Sequence, residues 1–348
     1  MLPYLNGRDK RERPAREAGP ARETIMTIRR RVLLAGAAAL AAAPARAQQT
    51  DYPDRAVRYI VPFTPAGLTD IMARLVAHRL AADWARPVVV ENRPGGNALI
   101  GAEAAAKATA DGYTLLAITL THAVNVSLFP QAPYELLRDF VPISILGALP
   151  LVVVVNPANP ARDLAELLAQ ARSRPLNGGS SGNGSPPHLA LELFRREAEA
   201  GPKLVHVPYR GGAPGVTDLV AGNLDLMLSN LPECIGQIRA GRLRPLAVTA
   251  PERHRLLPEV PTVREAGAPG LEINNWTGVV TNAAVPQPIL ARLGSGVQAA
   301  IQDPSVRQKA EEGGFEVLGW EAARSRAFLT EEVARWGRLV QEAGIRAD

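Results

Sequence analysis

Short runs of apolar and β-branched residues alternate with amphipathic stretches along most of the chain, from about residue 55 onward. Such runs, bounded by turn-forming residues, predict β-strands. The predicted strands are 57–63, 87–91, 113–118, 151–155, 204–207, 224–228, 245–249 and 278–281. Because predicted strands and helices alternate, the pattern indicates α/β layers.

The stretch 70–83 shows the clearest helical periodicity. Met72, Val76 and Leu80 recur every four residues, with Leu75 beside them, and form one apolar stripe. This face should pack on a sheet. Similar amphipathic stretches predict helices at 164–172, 189–199, 289–301 and 322–343.

Two segments predict crossings between lobes. The run 140–155 is long and apolar but is interrupted by proline and glycine, and the run 276–280 follows a polar connection. Two crossing strands form a hinge, which permits closure around a ligand. The expected lobes are 50–148 plus 276–348, and 149–275.

The beginning of the chain has the pattern of an export signal. A basic cluster at 29–31 and an apolar run at 32–43 precede Ala45 and Ala47, the small residues of a cleavage site. The apolar run is too short to span a bilayer, which takes about 20 residues. We expect a cleavable signal peptide at 26–47 and a periplasmic protein; a twin-arginine export route stays open. Residues 1–25 are then a non-native or unstructured extension, with translation starting at Met26.

Composition supports two globular domains. The chain has 348 residues, 47% hydrophobic and 21% charged, which is enough for two cores. The net charge is +5, but residues 1–47 contain ten of the 39 Lys and Arg and four of the 34 acidic residues. The remaining chain is nearly neutral, so no basic footprint for nucleic acid is left.

Cysteine and histidine usage argues against disulfides and metal sites. Cys234 is the single cysteine, so no intramolecular disulfide can form. The five histidines are scattered, and a structural zinc site needs a cluster. We therefore expect neither a metal nor a cofactor.

Three strand-to-helix loops share one chemistry: the first loop (62–70), the second loop (178–188) and the third loop (208–214). In each loop, glycine lets the backbone come close to a ligand, and a helix is expected to follow. Free N–H groups at a helix start make an anion site suited to carboxylate or phosphate. Loops at the carboxyl ends of strands can share one cleft. The alternative is that they are plain tight turns.

Single side chains in these segments also have two interpretations. Ser185 is a helix N-cap or a ligand donor. His188 covers the first turn of its helix or points into the cleft. His122 and Asn125 follow a strand end and either donate to a ligand or hold the loop in place. Asp70 either caps the first turn of its helix, which is favoured, or contacts the ligand.

A series of ordered motifs resembles a known family. The motifs are IVPF at 60–63, VENRPG at 90–95, DGYTL at 111–115, VNP at 155–157, the loop at 179–189, VPYRGGAP at 207–214, VPT at 260–262 and WTG at 276–278. From about residue 52 to 345, the chain resembles the substrate-binding proteins of tripartite tricarboxylate transporters, the Bug family of periplasmic receptors.

The resemblance implies a two-lobed periplasmic-binding-protein type II fold with a Venus-flytrap motion and a double-strand hinge. It implies no catalysis and a ligand such as a di- or tricarboxylate, an amino acid or an aromatic carboxylate. The implied partners are membrane transporter subunits or, for a signalling role, a sensor kinase. We expect a monomer.

In this family, loop backbone groups, hydroxyls and waters hold the carboxylate. The resemblance carries ligand binding to Phe63, Thr64, Ala66, Gly67, Asp70, Ser181, Ser185 and Gly212, and also to His122, Asn125, His188 and Ser229. Ala66 stands where the family usually has glycine. Ser229 stands where an acid is frequent, which favours a plain carboxylate over an amino acid.

A serine hydrolase is the competing interpretation. Residues 178–182 satisfy the G-x-S-x-G pattern around Ser180, and His206 and His254 follow it. However, the preceding segment 172–177 looks too polar and too short for the buried strand that a nucleophile elbow requires. The sequence therefore favours a receptor.

Overall fold

A computed structural model describes residues 52–65 and 67–346. The predicted signal peptide, the extension 1–25 and Ala66 lie outside the described residues.

The described chain alternates strands and helices throughout. The strands are β1 (Val57–Val61), β2 (Val88–Asn92), β3 (Thr114–Thr119), β4 (Phe140–Val155), β5 (Leu176–Ser180), β6 (Leu204–Pro208), β7 (Leu226–Asn230), β8 (Arg244–Val248), β9 (Asn274–Asn282) and β10 (Glu316–Trp320). The α-helices are α1 (Leu68–Trp84), α2 (Leu99–Ala106), α3 (Leu120–Leu128), α4 (Leu136–Asp139), α5 (Leu164–Ser173), α6 (Pro186–Glu197), α7 (Gly212–Ala221), α8 (Leu231–Arg239), α9 (Gln287–Gln302), α10 (Pro304–Glu312) and α11 (Ala322–Glu342).

Two groups of parallel strands are joined by antiparallel ones. Strand β1 pairs in parallel with β2 and β3, and β5 pairs in parallel with β6 and β7. The path through the sheet is β2-β1-β3-β9-β4-β7-β5-β6, with β8 and β10 also paired to β4. Strand β9 is antiparallel to both β3 and β4.

The long strand β4 connects the two groups. Its first part, from Phe140 to Pro150, pairs with β9, whereas Leu151 and the residues after it pair with β7 and β8. The chain passes this point a second time in β9. The strands 140–155 and 274–282 are therefore the two crossings of the sheet, close to the positions expected from the sequence.

The apolar periodicity corresponds to burial on both faces of the sheet. Val57, Tyr59 and Val61 enter one core cluster, while Ile60 points to the other face and enters a second. Alternate side chains of a strand face opposite ways, so a strand covered on both sides is apolar throughout. In α1, Met72, Val76 and Leu80 of the predicted stripe are buried against this sheet, and Leu75 is partly buried.

The expectation that the segment before residue 178 is too polar for a strand is wrong. Strand β5 lies between β6 and β7 and contains Asn177, Gly178 and Gly179. A Cβ atom on Gly178 would lie 2.5 Å from Leu191 of α6, so glycine is what permits this helix to pack so closely. Here tertiary packing overrides the weak strand propensity.

None of the helices in residues 52–65 and 67–346 has both the length and the apolar character needed to cross a membrane.

Candidate functional site

The three loops line one cleft with a volume of about 740 Å³. The first loop follows β1, the second begins with the last three residues of β5, and the third begins at the last residue of β6. Of the candidate residues, those that line the cleft are Phe63, Thr64, Gly67, Ser181, Ser185 and Gly212. The structure therefore brings together loops from both groups of parallel strands.

Six helices of the described residues begin at this cleft. Each follows the carboxyl end of a strand, and the N-cap residue of each lines the cleft: Gly67 of α1, Ala98 of α2, Thr119 of α3, Ser185 of α6, Gly211 of α7 and Asn230 of α8. The first N–H groups of a helix have no partner inside the helix, and its dipole is positive at that end. Pro186 and Pro187 leave α6 without its first two N–H groups, so α6 contributes mainly its dipole. The cleft thus combines amide donors from the other helices with a positive potential, which favours an anion.

The cleft is also rich in hydroxyl and amide side chains. The buried Oγ atom of Ser181 has no hydrogen-bond partner among the described residues. The Nδ2 atom of Asn275, on the crossing strand β9, donates to Oδ1 of Asn230 at 3.0 Å. Polar groups of this kind hold a ligand by hydrogen bonds rather than by apolar burial.

Ser185 is the N-cap of α6. Its hydroxyl donates to the Gly182 carbonyl at 2.6 Å, and its Oγ accepts from the His188 amide at 3.4 Å. Pro186 occupies the first helical position, where no N–H is needed. Ser185 therefore holds the second loop in shape as well as lining the cleft.

His188 lies behind the second loop, outside the cleft lining. Its Nδ1 accepts from the Gly184 amide at 3.0 Å, and its ring stacks on His206 with 3.9 Å between centroids. Glu192 lies 3.6 Å from Nε2 of His188. This arrangement fixes the loop from behind.

His122 is fully buried at the start of α3, beside the first loop. Its Nδ1 accepts from the Thr119 amide at 3.1 Å, and its ring lies edge-on to Phe63 at 6.1 Å. Burial lowers the pKa of His122 to about 4, so the ring is neutral at neutral pH. Because Nδ1 accepts, Nε2 carries the proton, and Nε2 has no partner among the described residues.

The side chains of Asn125 and Asp70 hold neighbouring segments of the chain together by hydrogen bonds. Asn125 exchanges two hydrogen bonds with Asn97, which lines the cleft. Asp70 is buried in the first turn of α1, where its carboxylate accepts from Arg74 and Asn92, both at 2.8 Å. Asn92 in turn donates to the Phe63 carbonyl at 3.0 Å. Neither Asn125 nor Asp70 is part of the cleft lining.

Ser229 is fully buried at the end of β7 and does not line the cleft. Its Oγ lies 3.5 Å from Oε2 of Glu233, which does. Gly212 at the start of α7 lies against the same carboxylate. Burial raises the pKa of Glu233, while hydrogen bonds from Asn230 and Ser229 oppose this shift.

Several lining residues were not among the sequence candidates. They include Asn97, Thr119, Thr121, Asn183, Arg210, Asn230, Glu233 and Asn275. Arg210 had a usable signal, since it lies inside a loop already interpreted as an anion site. Glu233 and Asn275 had none, because their places depend on strand pairings that are distant in sequence.

Within residues 52–65 and 67–346, no group of three His, Cys, Asp or Glu side chains could hold a metal ion. Cys234 is buried, and burial raises the pKa of its thiol to about 12.

The fold and the cleft together define a two-lobed α/β solute-binding receptor. The family model described as "Tripartite tricarboxylate transporter family receptor" matches residues 72–345. The chain belongs to this family.

Named relatives agree with this assignment. Protein BugT of Bordetella pertussis is 38% identical over 300 residues, which are 85% of this chain and 91% of BugT. A solved structure of an R. palustris protein with adipate is 36% identical, with a TM-score of 0.77, over 85% of this chain and 99% of that one. MatC from Rhodopseudomonas palustris with bound malate is 30% identical, with a TM-score of 0.74, over 83% and 100%.

Proposed function

We propose that this receptor captures a small carboxylate in the cleft between the three loops and presents it to the membrane subunits of a tripartite tricarboxylate-type transporter. The observation that carries the proposal is the convergence of six helix N-caps on one cleft. Adipate and malate, the ligands named for the two R. palustris structures, support a short-chain carboxylate as the ligand class.

Several lining residues have a proposed part in binding. Backbone N–H groups near Phe63, Gly67 and Gly212 approach the ligand, while the hydroxyls of Thr64 and Ser181 donate to it. The resemblance to the family extends the backbone contact with the ligand to Ala66. The exposed Arg210 adds a positive charge at the mouth.

The remaining candidates act as positioning residues. Asp70 and Asn125 fasten the loops at one side of the cleft, while His188 and Ser229 support the other side through neighbouring groups. His122 is the exception, because its Nε2–H has no partner among the described residues and is proposed to reach the ligand through a bridging water.

Binding is proposed to close two lobes, 50–148 plus 276–348 and 149–275. The change of partner along β4 near residue 150, with β9 as the returning strand, supports this boundary. A ligand that contacts loops on both sides gains contacts only in the closed form, and so shifts the equilibrium toward it.

A hydrolase is the second candidate, because Ser180 Oγ lies 2.6 Å from His206 Nε2. Two observations weigh against it. First, Ser180 is fully buried. Second, burial of His206 and the nearby charge of His188 lower the pKa of His206 to about 4, so His206 is a weak base at neutral pH. We propose that the pair is structural. Esterase turnover that disappears in Ser180→Ala would overturn this assignment.

The periplasm is the proposed location, with export through the signal peptide at 26–47. A receptor that reports to a sensor kinase rather than a transporter has the same cleft. Genetic deletion separates them: loss of carboxylate uptake supports transport, whereas unchanged uptake with lost induction of gene expression supports sensing.

Thermal-shift screening of the chain against carboxylates, followed by calorimetry, tests the binding function. We expect one-to-one binding, weakened about tenfold or more in Arg210→Ala by loss of a charge-assisted bond. Arg292→Ala, on the exposed side of α9, is the matched control and should bind normally. If a folded protein bound none of the carboxylates, the proposal would be wrong.

A further inference from the structure

Two ionisable side chains line the described part of the cleft: Arg210 and Glu233. The acidic side chain of Glu233 is unexpected here, because the helix N-termini and Arg210 favour an anionic ligand that it would repel. Glu233 lies in the first turn of α8, where the helix dipole stabilises negative charge. The cleft proposed to receive an anion therefore already contains an acidic side chain.

The Glu233 carboxylate occupies the start of α7. A Cβ atom added to Gly212 would lie 1.9 Å from Oε2 and 2.3 Å from the carboxyl carbon of Glu233. On its other side, Oε2 lies 3.5 Å from Oγ of Ser229. The Glu233 carboxylate thus lies between β7 and the third loop. It contacts the N-terminal turn of α7, which the sequence analysis interpreted as an anion site.

A ligand carboxylate cannot share this position without like-charge repulsion. The helix starts in the first and second loops carry no acid that lines the cleft, so they remain the places for the ligand's negative charge. The end of the cleft near Glu233 instead presents acceptor oxygens. Their surroundings are partly desolvated, so an unmatched ligand group there loses hydrogen bonds.

This geometry also changes the expected ligand. The serine at position 229 favoured a plain carboxylate, because an acid is frequent there in the resembling family. The structure brings the carboxylate of Glu233 to the side of Ser229, one helical turn later in the chain. The basis for expecting a plain carboxylate is therefore absent.

We infer that Glu233 is a specificity-determining residue, which selects carboxylates that also carry a hydrogen-bond donor, an ammonium or hydroxyl group, placed against its side chain. This inference rests on the proposed carboxylate-binding function. The ligand's carboxylate lies at the first and second loops, and its donor group lies at the third.

Calorimetry with matched ligands tests the inference. The probes are plain dicarboxylates of four, five and six carbons, each compared with its 2-hydroxy and 2-amino derivative. We expect the wild-type chain to bind a donor-bearing derivative at least about tenfold more tightly than the plain acid. In Glu233→Gln this preference should fall severalfold or more, while Glu259→Gln, an exposed residue of the same lobe, should keep it.

Gly212→Ala supplies an independent variant. Its new Cβ must push the Glu233 carboxylate away, so the donor preference should also fall while circular dichroism shows a folded protein. Gly236→Ala is the matched control, because a Cβ there meets nothing within 4 Å. Equal affinity for plain and donor-bearing acids, or a preference that survives Glu233→Gln, would overturn the inference but leave carboxylate binding intact. Failure of every acid to bind would overturn both.

Discussion

The hydroxyl of Ser185 is both a wall of the cleft and the cap of α6. We expect Ser185→Ala to lower the free energy of unfolding by about 1 kcal/mol, because the His188 amide loses its acceptor. Urea denaturation measures this change. Ser185→Asp restores a capping oxygen and should recover most of the stability. If the alanine variant were as stable as the wild type, the hydroxyl would not be acting as a cap.

His122 makes stability depend on pH. Its pKa lies at about 4 in the folded chain against an ordinary value of 6.5. Between these values the unfolded chain binds more protons, so the free energy of unfolding should fall as the pH falls from 6.5 to 4. His122→Asn keeps an acceptor for the Thr119 amide but does not titrate in this range.

The slope of unfolding free energy against pH is the measurement for this residue. His206, whose pKa is also lowered to about 4, should leave a residual slope in His122→Asn. An unchanged slope in that variant would show that His122 is not the titrating group.

Local signals predicted part of the cleft lining. Glycine and a following helix identify the three loops within a few consecutive residues, and those loops do line one cleft. The same signals did not distinguish lining from support, since His188, Asn125 and Asp70 lie behind the surface. That distinction depends on where buried neighbours lie, which one strand and its loop do not determine.

At the scale of elements, the hydrophobic pattern predicted the strongly amphipathic helices and the strands rich in β-branched residues. The helix expected at 70–83 is present as α1, and the one expected at 322–343 as α11. Strands β5 and β10 were missed because glycine and polar residues dilute their strand signal. Short helices such as α2 and α8 were missed for a related reason, since eight or nine residues carry little periodicity.

Helix α11 is tied to a crossing strand by one buried carboxylate. Oε2 of Glu332 accepts from the indole of Trp276 in β9 at 2.7 Å and from that of Trp336 at 2.8 Å. Glu332→Leu leaves both donors unsatisfied and should cost about 2 kcal/mol or more in urea denaturation. Glu332→Gln keeps an acceptor and should cost less. Equal stability of the two variants would contradict this role.

At the scale of the molecule, the two crossings 140–155 and 274–282 were predictable, whereas the lobe boundaries they imply stay a prediction. Small-angle scattering of the chain with and without a tight carboxylate tests the closure. We expect a smaller radius of gyration with ligand, because contacts from both sides favour the closed form. Identical scattering curves at saturation would contradict a hinge motion.

The central claim is that one negatively charged ligand is held by helix starts from both groups of parallel strands. A crystal structure with the carboxylate that gives the largest thermal shift tests it most directly. We expect the carboxylate within hydrogen-bond distance of backbone amides in both the first and the second loop. A ligand bound in another cavity, or one contacting loops on a single side of the cleft, would contradict the account.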